Sequence, residues 1–138
     1  RGETPAADPA ALFRTLALTV FTRDERLLGM AEKYLPLGDM LAIWKRMIGT
    51  GLIGGKSVGM LLARAILRMT HPRWSDLLEA HDSFFIGSEV FYTFMVRNGM
   101  WWFRQRQRDP AIFLDGIAEA REKVMAGRFP NASSSSET

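Results

Sequence analysis

The sequence contains no cysteine, which excludes disulfides, thiolate metal sites and a cysteine nucleophile. Histidine is nearly as scarce. His71 and His81 are the only two, and their separation is not that of paired ligands, so metal binding through imidazole is not expected. No stretch approaches the roughly 18 consecutive apolar residues of a membrane span, and no secretory pattern opens the chain. A cytoplasmic location with no membrane partner is the resulting expectation. The net charge is only +3, too small by itself to call for nucleic acid or an anionic surface. No serine stands in a nucleophile-elbow pattern, so the sequence offers no catalytic residue of its own.

What is present is the composition of an ordinary globular chain, 47% hydrophobic and 24% charged over 138 residues, enough for one modest core. The start at Arg1 and the polar run over 131–138 are read as cut or unanchored ends. The segment 131–138 is accordingly expected to be a disordered tail or a truncation point.

Helix signals recur along the chain. Asp8-Pro9 has the chemistry of a helix start, and Leu12, Leu16, Thr19 and Val20 follow at helical spacing. Thr22-Arg23-Asp24-Glu25 has the form of a capping box opening a second helix with Leu27, Leu28 and Ala31. A third helix over about 39–47 places Met40, Ile43, Trp44 and Met47 on one face. Another runs from Ser57 to Met69 with Leu61, Leu62, Ala65 and Ile66 as its buried stripe. Residues 83–87 are the best strand candidate. Ser88 then caps a helix stopped by Asn98-Gly99, and Asp109-Pro110 starts a last one through Ile112, Phe113, Ile117, Ala120 and Val124 to Met125. The predicted fold class is therefore α+β, predominantly helical, with one glycine-rich loop and one or two short strands.

The glycine-rich loop carries the most chemistry. In Gly49-Thr50-Gly51-Leu52-Ile53-Gly54-Gly55-Lys56-Ser57 the glycines permit close backbone approach to a ligand. The following helix end favours a phosphate, and Lys56 supplies a cation at the junction. The strict P-loop spacing fails because Thr50 stands where a glycine is required, and no convincing strand leads into the loop. A plain connector between packed helices, with Lys56 in solvent, is the competing reading.

Gly54-Gly55-Lys56-Ser57-Val58-Gly59-Met60-Leu61-Leu62-Ala63 resembles the glycine-glycine-lysine signature opening the ATP-binding domain of the phosphoenolpyruvate synthase and pyruvate phosphate dikinase family. Residues 82–91 are similar to the family's second element, a strand entering a helix. Gly127-Arg128-Phe129-Pro130 is similar to the segment leading toward its arginine-serine motif. The likeness spans about 47–130, and Ser57-Val58 departs from the small residues common after the lysine.

The resemblance implies an incomplete ATP-grasp-like domain that in the intact enzyme binds ATP with Mg²⁺. Phosphoryl transfer there runs through a phosphohistidine to pyruvate or a related acceptor. It implies a helical segment over 1–47 and the first part of the ATP-binding domain over 48–130, with the remaining domains of the same polypeptide as partners. Lys56 inherits contact with the nucleotide phosphates, and Gly54 and Gly55 inherit close backbone approach. The family's arginine, magnesium ligands and phosphorylated histidine match nothing in this sequence, so the chain alone is expected to be inactive.

A second conspicuous run, 97–108, interleaves Trp101, Trp102 and Phe103 with Arg97, Arg104, Arg106 and Arg108. Such a run can grip single-stranded nucleic acid or a protein partner, which makes a small helical RNA- or protein-binding module the alternative function. The nearby acidic residues Asp109, Asp115, Glu119 and Glu122 dilute its positive field, and nucleic acid is not the favoured partner. The simpler reading has the aromatics anchoring a helix and the arginines in water.

Overall fold

The computed structural model describes residues 8–79 and 82–129. The described residues are predominantly helical with two short parallel strands, and the chain divides into two compact units between Ser88 and Glu89. The tail 131–138 lies outside the described residues, as does His81.

The first unit opens with α1, Pro9–Leu16, whose N-terminus is capped as the sequence indicates: the Asp8 carboxylate accepts from the Ala10 N–H at 3.0 Å. The helix then widens into a π-helical turn, Ala17–Phe21, closed by the Thr22 N–H donating to the Ala17 carbonyl at 2.9 Å. The extra residue in that turn rotates the buried face. Phe13, Ala17, Val20 and Phe21 are buried, while Leu12 and Thr19 are exposed and Leu16 is half-buried. Of the expected stripe only Val20 is fully inside. The two phenyl rings carry more apolar area than Leu12 and Thr19 and take the core side.

Helix α2, Glu25–Tyr34, corrects the expected capping box. Its cap is Asp24, not Thr22: one Asp24 carboxylate oxygen accepts from the N–H groups of Arg26 and Leu27, both at 3.0 Å. The Thr22 hydroxyl instead accepts from the Asp24 N–H. Replacing Asp24 with alanine leaves those donors unpaired and is expected to cost about 1 kcal/mol, read as a lower urea midpoint at unchanged slope.

Helix α3, Leu37–Lys45, buries Met40 and Ile43. Trp44 is exposed, and Met47 belongs not to the helix but to strand β1, Met47–Ile48. Helix α4, Gly55–Thr70, buries Val58, Leu62 and Ala65, with Leu61 and Ile66 at its half-buried edge. Short helix α5, Arg73–Leu77, precedes β2, Phe85–Ile86. The strands pair in parallel, Met47 against Phe85 and Ile48 against Ile86. The core gathers Phe13, Phe21, Leu28, Met40, Leu62 and Phe85 with their neighbours.

Helix α6, Ser88–Arg97, leads into the second unit and ends at Asn98-Gly99 as expected. Helix α7, Trp101–Arg106, and helix α8, Ile117–Ala126, follow. The expected helix from Asp109 to Met125 is shorter than its signals suggest. Asp109 does accept from the Ala111 N–H at 2.9 Å, but residues 110–116 form turns. The reason is Gly116, at φ +78°, where the chain leaves helical geometry and where a side chain would come within 2.8 Å of the Trp102 ring. The core of this unit is small, with Phe94, Met95 and Met100 at its centre. Many large apolar side chains, among them Phe91, Val96, Leu114, Met125 and Phe129, remain exposed.

Candidate functional site

Strand β1 leads directly into the glycine loop, contrary to the sequence reading that no strand precedes it. After Ile48 the backbone turns through Gly49 and Gly51, at φ +72° and +84°, conformations that favour glycine. Three hydrogen bonds then fix the loop. The Leu52 N–H donates to the Ser88 hydroxyl at 3.1 Å, and the Ser88 N–H donates back to the Leu52 carbonyl at 2.9 Å. The Ile53 N–H donates to the Val20 carbonyl at 2.9 Å, with the Ile53 side chain buried. On the far side Gly87 packs against Thr50 so closely that no side chain fits between them.

The loop therefore delivers Gly54 and Gly55 to the start of α4 in a fixed orientation. Gly54 is extended, at φ −68° and ψ 148°, and no side chain caps the helix. The first-turn N–H groups are left to a ligand or to water. Gly54, Gly55 and Lys56 are all exposed. A side chain at Gly54 or Gly55 would meet nothing within 4 Å, and the same holds for Gly59 one turn further on. Neither crowding nor backbone conformation demands glycine there, and the surface before α4 is open. Lys56 makes no ion pair among the described residues. The structure thus brings the three predicted residues together at one exposed helix end, where N–H groups, the helix dipole and an ammonium converge.

Other polar side chains have local partners. His71 accepts from the Arg73 N–H through Nδ1 at 3.1 Å. Glu119 pairs with Lys123 at 2.9 Å, and Asp82 faces Arg46 at 3.8 Å. No group of three or more carboxylates and imidazoles that could hold a metal occurs among the described residues. In the aromatic-basic run, the Arg106 guanidinium and the Lys123 ammonium lie 4.8 and 5.6 Å from the centre of the Trp102 ring. That ring is engaged within its own unit rather than offered as a platform for a base. Trp102 and Phe103 are half-buried and Trp101 is exposed, so the aromatics anchor α7 only in part.

Two features escaped the sequence. Strand β1 is too short for any periodicity to reveal. Arg46, Arg64 and Arg68 are among the residues lining one cavity of the first unit, and the only hint was the four-residue spacing of the last two on α4. No helix among the described residues is long and apolar enough to cross a membrane. Neither a family model, nor a curated protein, nor a solved structure matches the chain.

Proposed function

We propose that residues 47–88 are the phosphate-binding part of an ATP-binding domain, ATP-grasp-like in fold, of a phosphotransferase of the phosphoenolpyruvate synthase and pyruvate phosphate dikinase type. The observation that carries this reading is the unit β1, glycine loop, α4, α5, β2. In it Gly54, Gly55 and Lys56 occupy an uncapped, open helix start held in place from three sides. The sequence signature and the parallel strand pair support the same assignment.

In this reading the ATP phosphates lie over the first turn of α4. The backbone N–H groups there donate to phosphate oxygens, and the Lys56 ammonium neutralises charge on the chain. Gly54 and Gly55 let the phosphates approach the backbone without a Cβ in the way. Magnesium is carried with the nucleotide, and no step is assigned to it through this chain, whose described residues offer no ligand set. Phosphoryl transfer needs several further cations and an acceptor, so the chain by itself binds ATP without transferring its phosphate.

Titration calorimetry of the chain with ATP and magnesium tests this. The wild-type chain binds, and Lys56→Gln binds at least about tenfold more weakly, in keeping with about 1.5–3 kcal/mol for a hydrogen bond to a charged group. Because Lys56 is exposed and makes no ion pair among the described residues, its replacement leaves thermal stability unchanged. Equal ATP affinity in the two proteins overturns the assignment.

A further inference from the structure

Asn98 is one of two asparagines in the sequence, and the one followed by glycine. It stands just beyond the last turn of α6. Its Nδ2 group donates to the Phe94 carbonyl at 2.8 Å and to the Arg128 carbonyl at 3.2 Å, while Oδ1 accepts from the Arg128 N–H at 3.1 Å. One side-chain amide thus pairs with both backbone groups of a residue 30 positions later. The segment 127–129 is packed beside this clamp. Gly127 lies so close to the Phe94 ring that a side chain would come within 2.6 Å of it, and the Phe94 and Phe129 rings are 4.7 Å apart. The chain after α8 is tied to the end of α6 by an amide and a pair of rings.

An asparagine followed by glycine carries a reactivity of its own. With no Cβ on Gly99 to obstruct the approach, its backbone nitrogen can lose its proton and attack Asn98 Cγ. The new N–Cγ bond closes a five-membered imide, the Cγ–Nδ2 bond breaks, and ammonia leaves. Water then opens the ring at either carbonyl and yields aspartate or its β-linked isomer. In the fold both reacting groups are occupied. The Gly99 N–H donates to the Val96 carbonyl at 3.1 Å, and the Asn98 amide is held by Phe94 and Arg128. Gly99 is exposed and Asn98 half-buried, so water reaches the turn. What restrains the reaction is the hydrogen bonding, and ring closure waits on local opening.

We propose that Asn98 is a site of spontaneous hydrolytic modification, held in check by the clamp, and that its conversion to a carboxylate releases the segment 127–129. A carboxylate has no proton to give the Phe94 and Arg128 carbonyls and sets a charged oxygen against them. It also places negative charge at the C-terminal end of α6, where the helix dipole disfavours it. The β-linked isomer lengthens the backbone inside the turn at Gly99, whose φ is +65°. Loss of ammonia makes the change one-way, so its rate records how often the clamp opens. The proposal does not rest on the assignment of ATP to Lys56.

The test is incubation of the chain in mildly alkaline buffer, followed by peptide mass spectrometry that separates Asn98 from Asn131. The folded wild-type chain converts Asn98 at least about tenfold more slowly than the urea-unfolded chain. Arg128→Pro removes the N–H of the clamp after an extended Gly127 that tolerates a following proline. It speeds conversion about two- to tenfold, the factor that goes with one hydrogen bond. Arg128→Ala keeps both backbone groups and the wild-type rate. Phe129→Ala removes the ring against Phe94 and also speeds conversion, which decides the matter if Arg128→Pro unfolds its unit. In Asn98→Asp the Phe94 and Phe129 rings lose their nuclear Overhauser contact. A wild-type rate equal to that of the unfolded chain overturns the proposal, as does a wild-type rate in Phe129→Ala and folded Arg128→Pro. An intact ring contact in Asn98→Asp overturns the release of the segment.

Discussion

Gly87→Ala is expected to destabilise the first unit by about 3 kcal/mol and, on the proposed function, to weaken ATP binding with it. A Cβ at this position would lie 2.0 Å from the Thr50 carbonyl oxygen, 2.7 Å from its carbon and 3.1 Å from its nitrogen. All three are backbone atoms. A crowded side chain can change rotamer, but backbone can yield only if the chain itself moves. The chain here is tied on both sides, by the Gly87 N–H bond to the Ile48 carbonyl at 3.0 Å and by the reciprocal bonds between Leu52 and Ser88. To admit one methyl group, either β2 must leave β1 or the glycine loop must swing away from α4. Urea denaturation gives the stability, and ATP titration of the folded variant gives the effect on the loop. A wild-type midpoint would show that Thr50 and Gly87 are not clamped together.

Phe21→Ala is expected to lose about 3–5 kcal/mol, a large share of the 5–15 kcal/mol that usually holds a domain together. Phe21 is 1% exposed and among the largest fully buried side chains. It sits at the end of the π-helical turn, next to the residue whose carbonyl receives the Ile53 N–H. Its loss opens a cavity in the core and removes the packing that keeps Val20 in reach of the glycine loop. Thermal unfolding followed by circular dichroism checks the first effect. A melting temperature within a degree or two of wild type would mean that the core closes over the gap without loss.

The elements that were legible in the sequence are those whose cause is local. Asp8-Pro9 opens α1 and Asn98-Gly99 closes α6, because a cap needs only a few consecutive residues. The placement of Gly54, Gly55 and Lys56 at a helix start was legible for the same reason. What escaped depends on partners far along the chain. Strand β1 is two residues long and exists because β2 pairs with it from beyond α5. The π-helical turn displaces the buried stripe of α1, and no period of 3.6 predicts it. Asp109-Pro110 has the chemistry of a helix start, yet Gly116 and the Trp102 ring postpone α8 to Ile117. The arginine-rimmed cavity draws on three helices and β2, so no single segment announces it. The ATP-grasp assignment rests on the signature around Lys56 and on the proposed reading of the loop.

The strand pair is the shortest and most distant contact that holds the glycine loop region together. Met47 and Phe85 pair across the whole of α4 and α5, and two residues on each side give little return for closing so long a loop. Non-local contacts of this kind form late and open early. The glycine loop is anchored in part beside that closure, by the bonds between Leu52 and Ser88, so on the proposed function strand pairing and phosphate binding at Lys56 are linked. On that function, a phosphate chain held at Gly54 to Lys56 would favour the closed pair and raise its population by mass action. On the proposed function, occupancy of the loop and protection of the Phe85 and Gly87 amides, bonded to the Arg46 and Ile48 carbonyls, rise together.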